Sequence, residues 1–300
     1  MRNRQKRWTA YGARFRAGFT LVELMVALLV GVITIGAVYS VHIVQQKAYR
    51  YQQLRVSMHQ NLRGAIAILE QQIRMAGFDP ENTGKFGITD VRRYDLVGTR
   101  PDPDGEPALF YMMDLDENGA PDDSGPRDFK GDPRNREFAN FRVRDDKNTA
   151  RLYLAWDNGG GRRPLAENIR HIAFAYAIDA DGDGQKDTWN GGAFTIWAVD
   201  TDNDNLLDTH LDANNDGMID ERDDTDDDQR ITGADGCALD PPVSLDRIRA
   251  VRVWLLAVSA FPIKEQVDNR SYVVGDRIFT AGNDAFVRRI LESMVECRNL

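Results

Sequence analysis

Residues 179–228 hold sixteen Asp and one Glu against one Lys and one Arg. Their spacing has a chemical meaning. Asp179, Asp181, Asp183 and Asp187 stand at positions 1, 3, 5 and 9 of a loop with Gly184 at position 6. A chain that curls around one calcium ion alternates oxygen ligands with spacers in this way, turns at a glycine, and adds the carbonyl of position 7, here Gln185. Asp200, Asp202, Asp204 and Asp208 repeat the pattern, with Leu206 at position 7. Asn205 replaces the glycine there and tolerates positive φ nearly as well. Asp212, Asn214, Asp216 and Asp220 form a third copy with Gly217 and Met218, completed by an acid, Asp223, at position 12. The first copy has Asn190 at position 12 and the second has Leu211, so the second must borrow an oxygen, for instance from Asp212. Asp114, Asp116, Asn118 and Asp122 around Gly119 make a looser fourth copy. The expected ligand is structural Ca2+, because net negative charge this dense repels itself unless ions bind.

The segments flanking these loops lack the paired helices of an EF-hand, and the loops resemble dockerin-like or thrombospondin type 3 calcium loops. The whole chain carries 38 Lys+Arg against 47 Asp+Glu, a net charge of -9. Arg2, Arg4, Lys6, Arg7, Arg14 and Arg16 lie within residues 1–18 with no acid among them. The remainder is therefore strongly acidic and repels phosphate backbones, so no nucleic-acid partner is expected. His42, His59, His171 and His210 are scattered without metal or catalytic spacing. There is no phosphate-binding loop, dinucleotide fingerprint or nucleophile elbow, and no enzyme is expected. If the body is exported, Cys237 and Cys297 are expected to pair across about 60 residues, a closure worth about 2–4 kcal/mol. Two separate buried thiols are the alternative.

The elements that must position these groups begin with a helix. Residues 19–44 are predominantly apolar, with Glu23 their only acid and His42 their only histidine, and are long enough to cross a bilayer. The preceding positive charge keeps the N-terminus cytoplasmic and exports the body. A carboxylate inside such a segment costs a few kcal/mol unless paired, so Glu23 requires a partner, supplied by another chain or by the chain's own new amino terminus. The run Gly18-Phe19-Thr20-Leu21-Val22-Glu23 resembles the prepilin cleavage motif of type IV pilins and type II secretion pseudopilins. The resemblance implies that a prepilin peptidase cuts after Gly18 and methylates Phe19. It also implies that Glu23 meets the Phe19 amine of a neighbouring subunit during filament assembly.

No proline occurs before Pro80, and Leu54, Met58, Leu62, Ala65, Ile66, Leu69, Ile73 and Ala76 recur in steps of three and four. This predicts one continuous helix over 19–76, stopped by Gly77 and Pro80. Its halves are a membrane or filament-core helix, 19–44, and an amphipathic half, 45–76. The rest, 77–300, reads as an exported α+β head with an antiparallel sheet. Strands are expected at 95–97, 109–113, 138–143, 152–156, 169–178, 194–199 and 248–258, with a turn at 157–161. Residues 286–295 have helical spacing. Residues 164–169 with Tyr176, 251–257, and Arg288-Arg289 with Arg298-Asn299-Leu300 resemble the PilW-type branch of minor pilins, which implies a final sheet strand instead. By that resemblance the chain is a pilin-like minor pilin anchored in the inner membrane and then displayed on the pilus. Its implied partners are prepilin peptidase, the inner-membrane assembly platform, and other major and minor pilins. A J-like pseudopilin of type II secretion and a calcium-dependent adhesin are the alternative readings.

Overall fold

The proline-free N-terminal region forms a single helix, α1, over Leu21–Ile73. The computed structural model describes residues 18–96, 100–121, 137–146, 151–158, 161–189, 191–263 and 267–300. Leader residues 1–17, together with Val97, Asp122, Gly159, Gly160 and Asn190, to which the sequence assigns roles, lie outside the described residues. The chain divides into two compact units, Met1–Gln52 and Gln53–Leu300. In the first, α1 runs through Gly31 and Gly36 without a break. Its apolar side chains, Leu21, Val22, Leu28, Ile35 and Val44 among them, are exposed, and the helix is long and apolar enough to cross a membrane.

In the second unit the same helix becomes one-sided. Met58, Leu62, Ala65, Ile66, Leu69 and Ile73 are its buried residues, spaced along one stripe. Leu62, Leu69 and Ile73 have no exposed surface, and truncating Leu69 to Ala would cost about 2–5 kcal/mol. Polar contacts hold the stripe's borders. Asn61 Nδ2 donates to the Glu167 carbonyl (2.7 Å), and the Tyr111 hydroxyl donates to Gln72 Oε1 (3.1 Å). Ser293 Oγ donates to Glu70 Oε1 (2.5 Å). Gly77 stops the helix at φ +75°, a conformation that L side chains rarely adopt.

The head contains two larger antiparallel sheets, where the sequence suggested one. The first is built from β1 (Ile88–Asp90), β2 (Arg93–Tyr94), β3 (Glu106–Met112), β4 (Phe138–Asp146), β5 (Arg151–Asp157) and β6 (Arg162–Glu167). They follow the order β1-β3-β4-β5-β6, with β2 also on β3. The second takes β7 (Ile169–Ile178), then, beyond the small hairpin of β8 (Thr188–Trp189) and β9 (Phe194–Thr195), β10 (Trp197–Val199) and β11 (Leu206–His210). It is completed by β12 (Ala238–Ser244), β13 (Ile248–Val258) and, after the hairpin of β14 (Ser271–Val274) and β15 (Arg277–Thr280), β16 (Arg288–Glu296). Its order is β12-β11-β10-β7-β13-β16. The expected strand at 194–199 is thus two short ones, Asp95 and Leu96 of the expected strand at 95–97 lie just beyond β2, and β1, β2, β6, β8, β11, β12, β14 and β15 were not anticipated.

The last segment is a strand, as the family resemblance implied. β16 pairs with β13 from Ala250–Glu296 to Val258–Arg288. Ser293, opposite Val253, reaches the helix, so α1 lies on that face of the second sheet. The other face of the sheet, with Trp254, Leu256, Ala175 and Val199, packs against Leu211, Ile231, Tyr272, Val274 and Ala281. The acidic segment and the β14–β15 hairpin therefore cover the face opposite the helix.

The expected disulfide is not formed. Cys237 and Cys297 are both buried free thiols. Cys237 pairs with β11 beside the β12 edge, and Cys297 follows β16 at the opposite edge. Five strand spacings of about 4.8 Å separate those edges, far beyond the ~7 Å Cα limit for a disulfide. Burial pushes each thiol up to about 12, which makes both unreactive. Ellman's reagent should therefore label neither cysteine in the native chain and both after denaturation, and reduction should leave gel mobility unchanged.

Candidate functional site

The acidic loops share one hydrogen-bond scheme. In the loop begun by Asp200, the Asp204 amide donates to Asp200 Oδ1 (3.3 Å) and Asp202 Oδ1 (3.2 Å), Asn205 N to Asp200 Oδ2 (2.8 Å), and Leu206 N to Asp204 Oδ1 (2.7 Å). In the loop begun by Asp212, the Asp216 amide bonds Asp212 and Asn214, Gly217 N bonds Asp212, and Met218 N bonds Asp216. The loops begun by Asp114 and Asp179 keep the same bonds from positions 6 and 7. The residues at position 6, Gly119, Gly184, Asn205 and Gly217, all have positive φ, between 66° and 86°. The local sequence explains this: a short carboxylate side chain bonds amides two to five residues on, and a residue tolerant of positive φ closes the turn.

A fifth loop escaped the sequence reading. Asp228 N bonds Asp224 and Asp226, Gln229 N bonds Asp224 Oδ2 (2.8 Å), and Arg230 N bonds Asp228 Oδ1 (2.8 Å). Gln229 takes the glycine's place at φ +70°. The alternating acids were visible, but Gln at position 6 hid the turn. Asp235, twelfth from Asp224, bonds Thr225 N (2.7 Å) and Thr232 N (2.8 Å). Asp223 does the same for the preceding loop, accepting from Asn214 N and Asp220 N.

The first aspartate of each loop is buried: Asp114, Asp179, Asp200, Asp212 and Asp224 are at most 8% exposed. Among the described residues, four groups bring carboxylate oxygens within 4.8 Å of one another. They are Asp114–Asp116–Glu137, Asp179–Asp181–Asp183, Asp200–Asp202–Asp208 and Asp224–Asp226–Asp228. Oxygens at 2.3–2.6 Å from one Ca2+ lie within about 5 Å of each other, so these sets have the right dimensions. Glu137 carries no spacing signal. It arrives because Met113 N bonds the Glu137 carbonyl where β3 and β4 meet. Asp204 and Asp187 bond loop amides and stay outside the groups. Gln185, Leu206 and Met218 can contribute only backbone carbonyls at position 7, and Met218's side chain is exposed.

Two loops already hold an internal cation. Arg249 Nη2 lies 2.7 Å from Asp179 Oδ2, and Arg222 Nη2 lies 2.8 Å from Asp216 and 2.7 Å from Asp220. The copy with the most regular sequence, at Asp212, thus has two of its predicted ligands engaged by arginine. Burial pushes Asp200 up to about 6, and raises Asp202 and Asp223 above the usual carboxylate value. Burial also acts on Asp179, but the Arg249 guanidinium and the amides of Gly182 and Gly184 hold it below that value. A divalent cation would relieve the sites at Asp200 and Asp223 most.

At the N-terminus, Gly18 and Phe19 are exposed and precede the helix. A side chain at Gly18 would meet nothing within 4 Å, so the fold itself does not demand glycine there. Glu23 has a partner within its own chain. Its Oε2 accepts from Thr20 N (2.8 Å) and Thr20 Oγ1 (2.9 Å), while Glu23 N donates to Thr20 Oγ1 (3.3 Å). This is a capping box, which gives the carboxylate a partner within its own chain. Of the histidines, His171 lies 2.8 Å from Glu106 and stacks on Phe279, His210 packs beside Trp189, and His42 bonds Gln46.

Residues 13–39 match the prokaryotic N-terminal methylation motif. Among solved structures, a type IV-like pilin from Thermus thermophilus is similar at 14% identity and a TM-score of 0.36, covering 81% of this chain and 97% of that one. Comparison with curated proteins gives no match.

The raised Asp200 predicts a pH effect of definite sign. Its proton is held more tightly folded than unfolded, so its contribution to stability is greatest below about pH 4 and is lost as pH rises through about 6. His210, which burial pushes down, acts in the opposite sense over the same window, so the test is a comparison. In EGTA the melting temperature of the detergent-solubilised full chain should gain on that of its Asp200→Asn variant between pH 7 and pH 5, and millimolar calcium should remove that gain.

Proposed function

We propose that this chain is a minor pilin of PilW type, a structural subunit of a type IV pilus or its priming tip complex. The observation that carries this reading is the methylation motif over residues 13–39, seated where an exposed Gly18-Phe19 bond leads into an exposed apolar helix. Prepilin peptidase cuts after Gly18 and methylates Phe19 on the cytoplasmic side of the inner membrane. The assembly platform then draws the helix out of the bilayer to pack with other major and minor pilins. Glu23 exchanges its capping contact with Thr20 for the Phe19 amine of a neighbour, where a charge pair in apolar surroundings is strongly favoured over a lone carboxylate.

In the same reading the head is ordered by Ca2+. Support comes from the repeated loop geometry, the buried first aspartates and the four carboxylate groups. The calcium role is structural: it fixes the acidic segment against the second sheet, and millimolar calcium outside the cytoplasm would fill even weak sites.

Mass spectrometry of the chain from cells should find a mature N-terminus at methylated Phe19. Gly18→Leu should fold normally and remain uncut, because the position is sterically open. Glu23→Ala should be cleaved but incorporate poorly into filaments; normal incorporation would remove the assembly role. Saturating calcium at a hundredfold excess over Kd should stabilise the full chain by about 2.7 kcal/mol per linked site. An unchanged melting temperature in millimolar calcium would exclude the ion-ordered head while leaving the pilin reading intact.

A further inference from the structure

Where the two sheets meet beneath the Asp200 loop, two buried donors lack partners. Tyr176 on β7 is 1% exposed and its hydroxyl makes no hydrogen bond. Arg93 on β2 is 5% exposed. Its Nη2 pairs with Asp276 Oδ2, and its Nη1 bonds nothing. Both side chains line one cavity with Asp200, Asp276, Phe174 and Val199, and the cavity leaves about 10 Å3 for the centre of a water molecule. That is room for about one water. Buried polar groups are rarely left unsatisfied, and each one left so costs free energy.

The wall chemistry selects the occupant. Asp200 and Asp276 oppose an anion, and the Arg93 guanidinium opposes a cation. A neutral molecule that both accepts and donates suits two donors beside a carboxylate. We infer that the cavity is a built site for one ordered water molecule. It accepts from Arg93 Nη1, shares a hydrogen bond with the Tyr176 hydroxyl and donates to the Asp200 carboxylate. The water thereby joins the first sheet, the second sheet and the head of an acidic loop. It completes a junction already bridged by Asn203 Oδ1, which accepts from Arg93 N (2.6 Å), and by Asn205 Oδ1, which accepts from Val91 N (3.1 Å).

A crystal structure of the detergent-solubilised full chain at about 1.6 Å should show a density peak about 2.6–3.2 Å from Arg93 Nη1, Tyr176 Oη and an Asp200 oxygen. Featureless density in the cavity would overturn the inference. Tyr176→Phe keeps the ring and should fold. With the water in place, this variant loses a hydrogen bond, and its melting temperature should fall by about 2–4 °C. In a dry cavity the same change removes an unsatisfied hydroxyl. A melting temperature that stays level or rises would therefore also overturn the inference.

Discussion

The head is organised around carboxylates removed from water. An aspartate at the start of each acidic loop is buried, and a buried carboxylate is tolerable only where donors or positive charge surround it. The loops meet this requirement with their own backbone. Amides at positions 5, 6 and 7 turn inward onto the side chains, which forces the tight curl and the positive φ at position 6. The curl in turn leaves several carboxylate oxygens facing one another, a repulsion that backbone amides alone do not cancel. Loops begun by Asp179 and Asp212 relieve part of it with Arg249 and Arg222.

The same loops fasten the architecture. β7 and β13 form the centre of the second sheet, with α1 on one face and the acidic segment with the β14–β15 hairpin on the other. The fifth loop leads into Arg230 and Ile231, which bond the hairpin: Ile231 N donates to the Asp276 carbonyl and Ile278 N to the Gln229 carbonyl. From there Arg230 pairs with Asp104 (2.7 Å), and Arg277 bonds the carbonyls of Pro103 and Asp104. Arg93–Asp276 and His171–Glu106 add further ties between the first sheet and the hairpin or second sheet. The acidic segment is thus a structural part of the head, with Asp179, Asp200, Asp212, Asp223 and Asp224 folded inward and the rest of its charge displayed or half-buried.

Much of this was legible in the residues. Steps of three and four with no proline gave the helix to within a few residues, and the apolar alternation in 169–178 and 248–258 located the central strands with their bounds. The loop spacing located four turns because ligand and turn residues are local in sequence. Apart from the turn at Gln229, what failed was non-local. Nothing near Glu137 announces that β4 will carry it to Asp114 and Asp116. The cysteines could be counted, but their placement at opposite sheet edges follows from strand order, which spacing does not encode. Residues 286–295 have helical spacing, and pairing with β13 makes them a strand all the same. For Glu23, read as needing a partner from another chain or from the chain's own new amino terminus, the structure adds Thr20, three residues back, as a capping partner.

Asp223 closes one loop and Asp224 opens the next, both buried and with no residue between them. This zero-length junction leaves no slack. Any twist needed to reseat one carboxylate is transmitted through a single peptide bond to its neighbour, so the two turns behave as one mechanical joint. A substitution there disturbs two nests of amides at once, whereas an inserted or deleted residue would throw both out of phase.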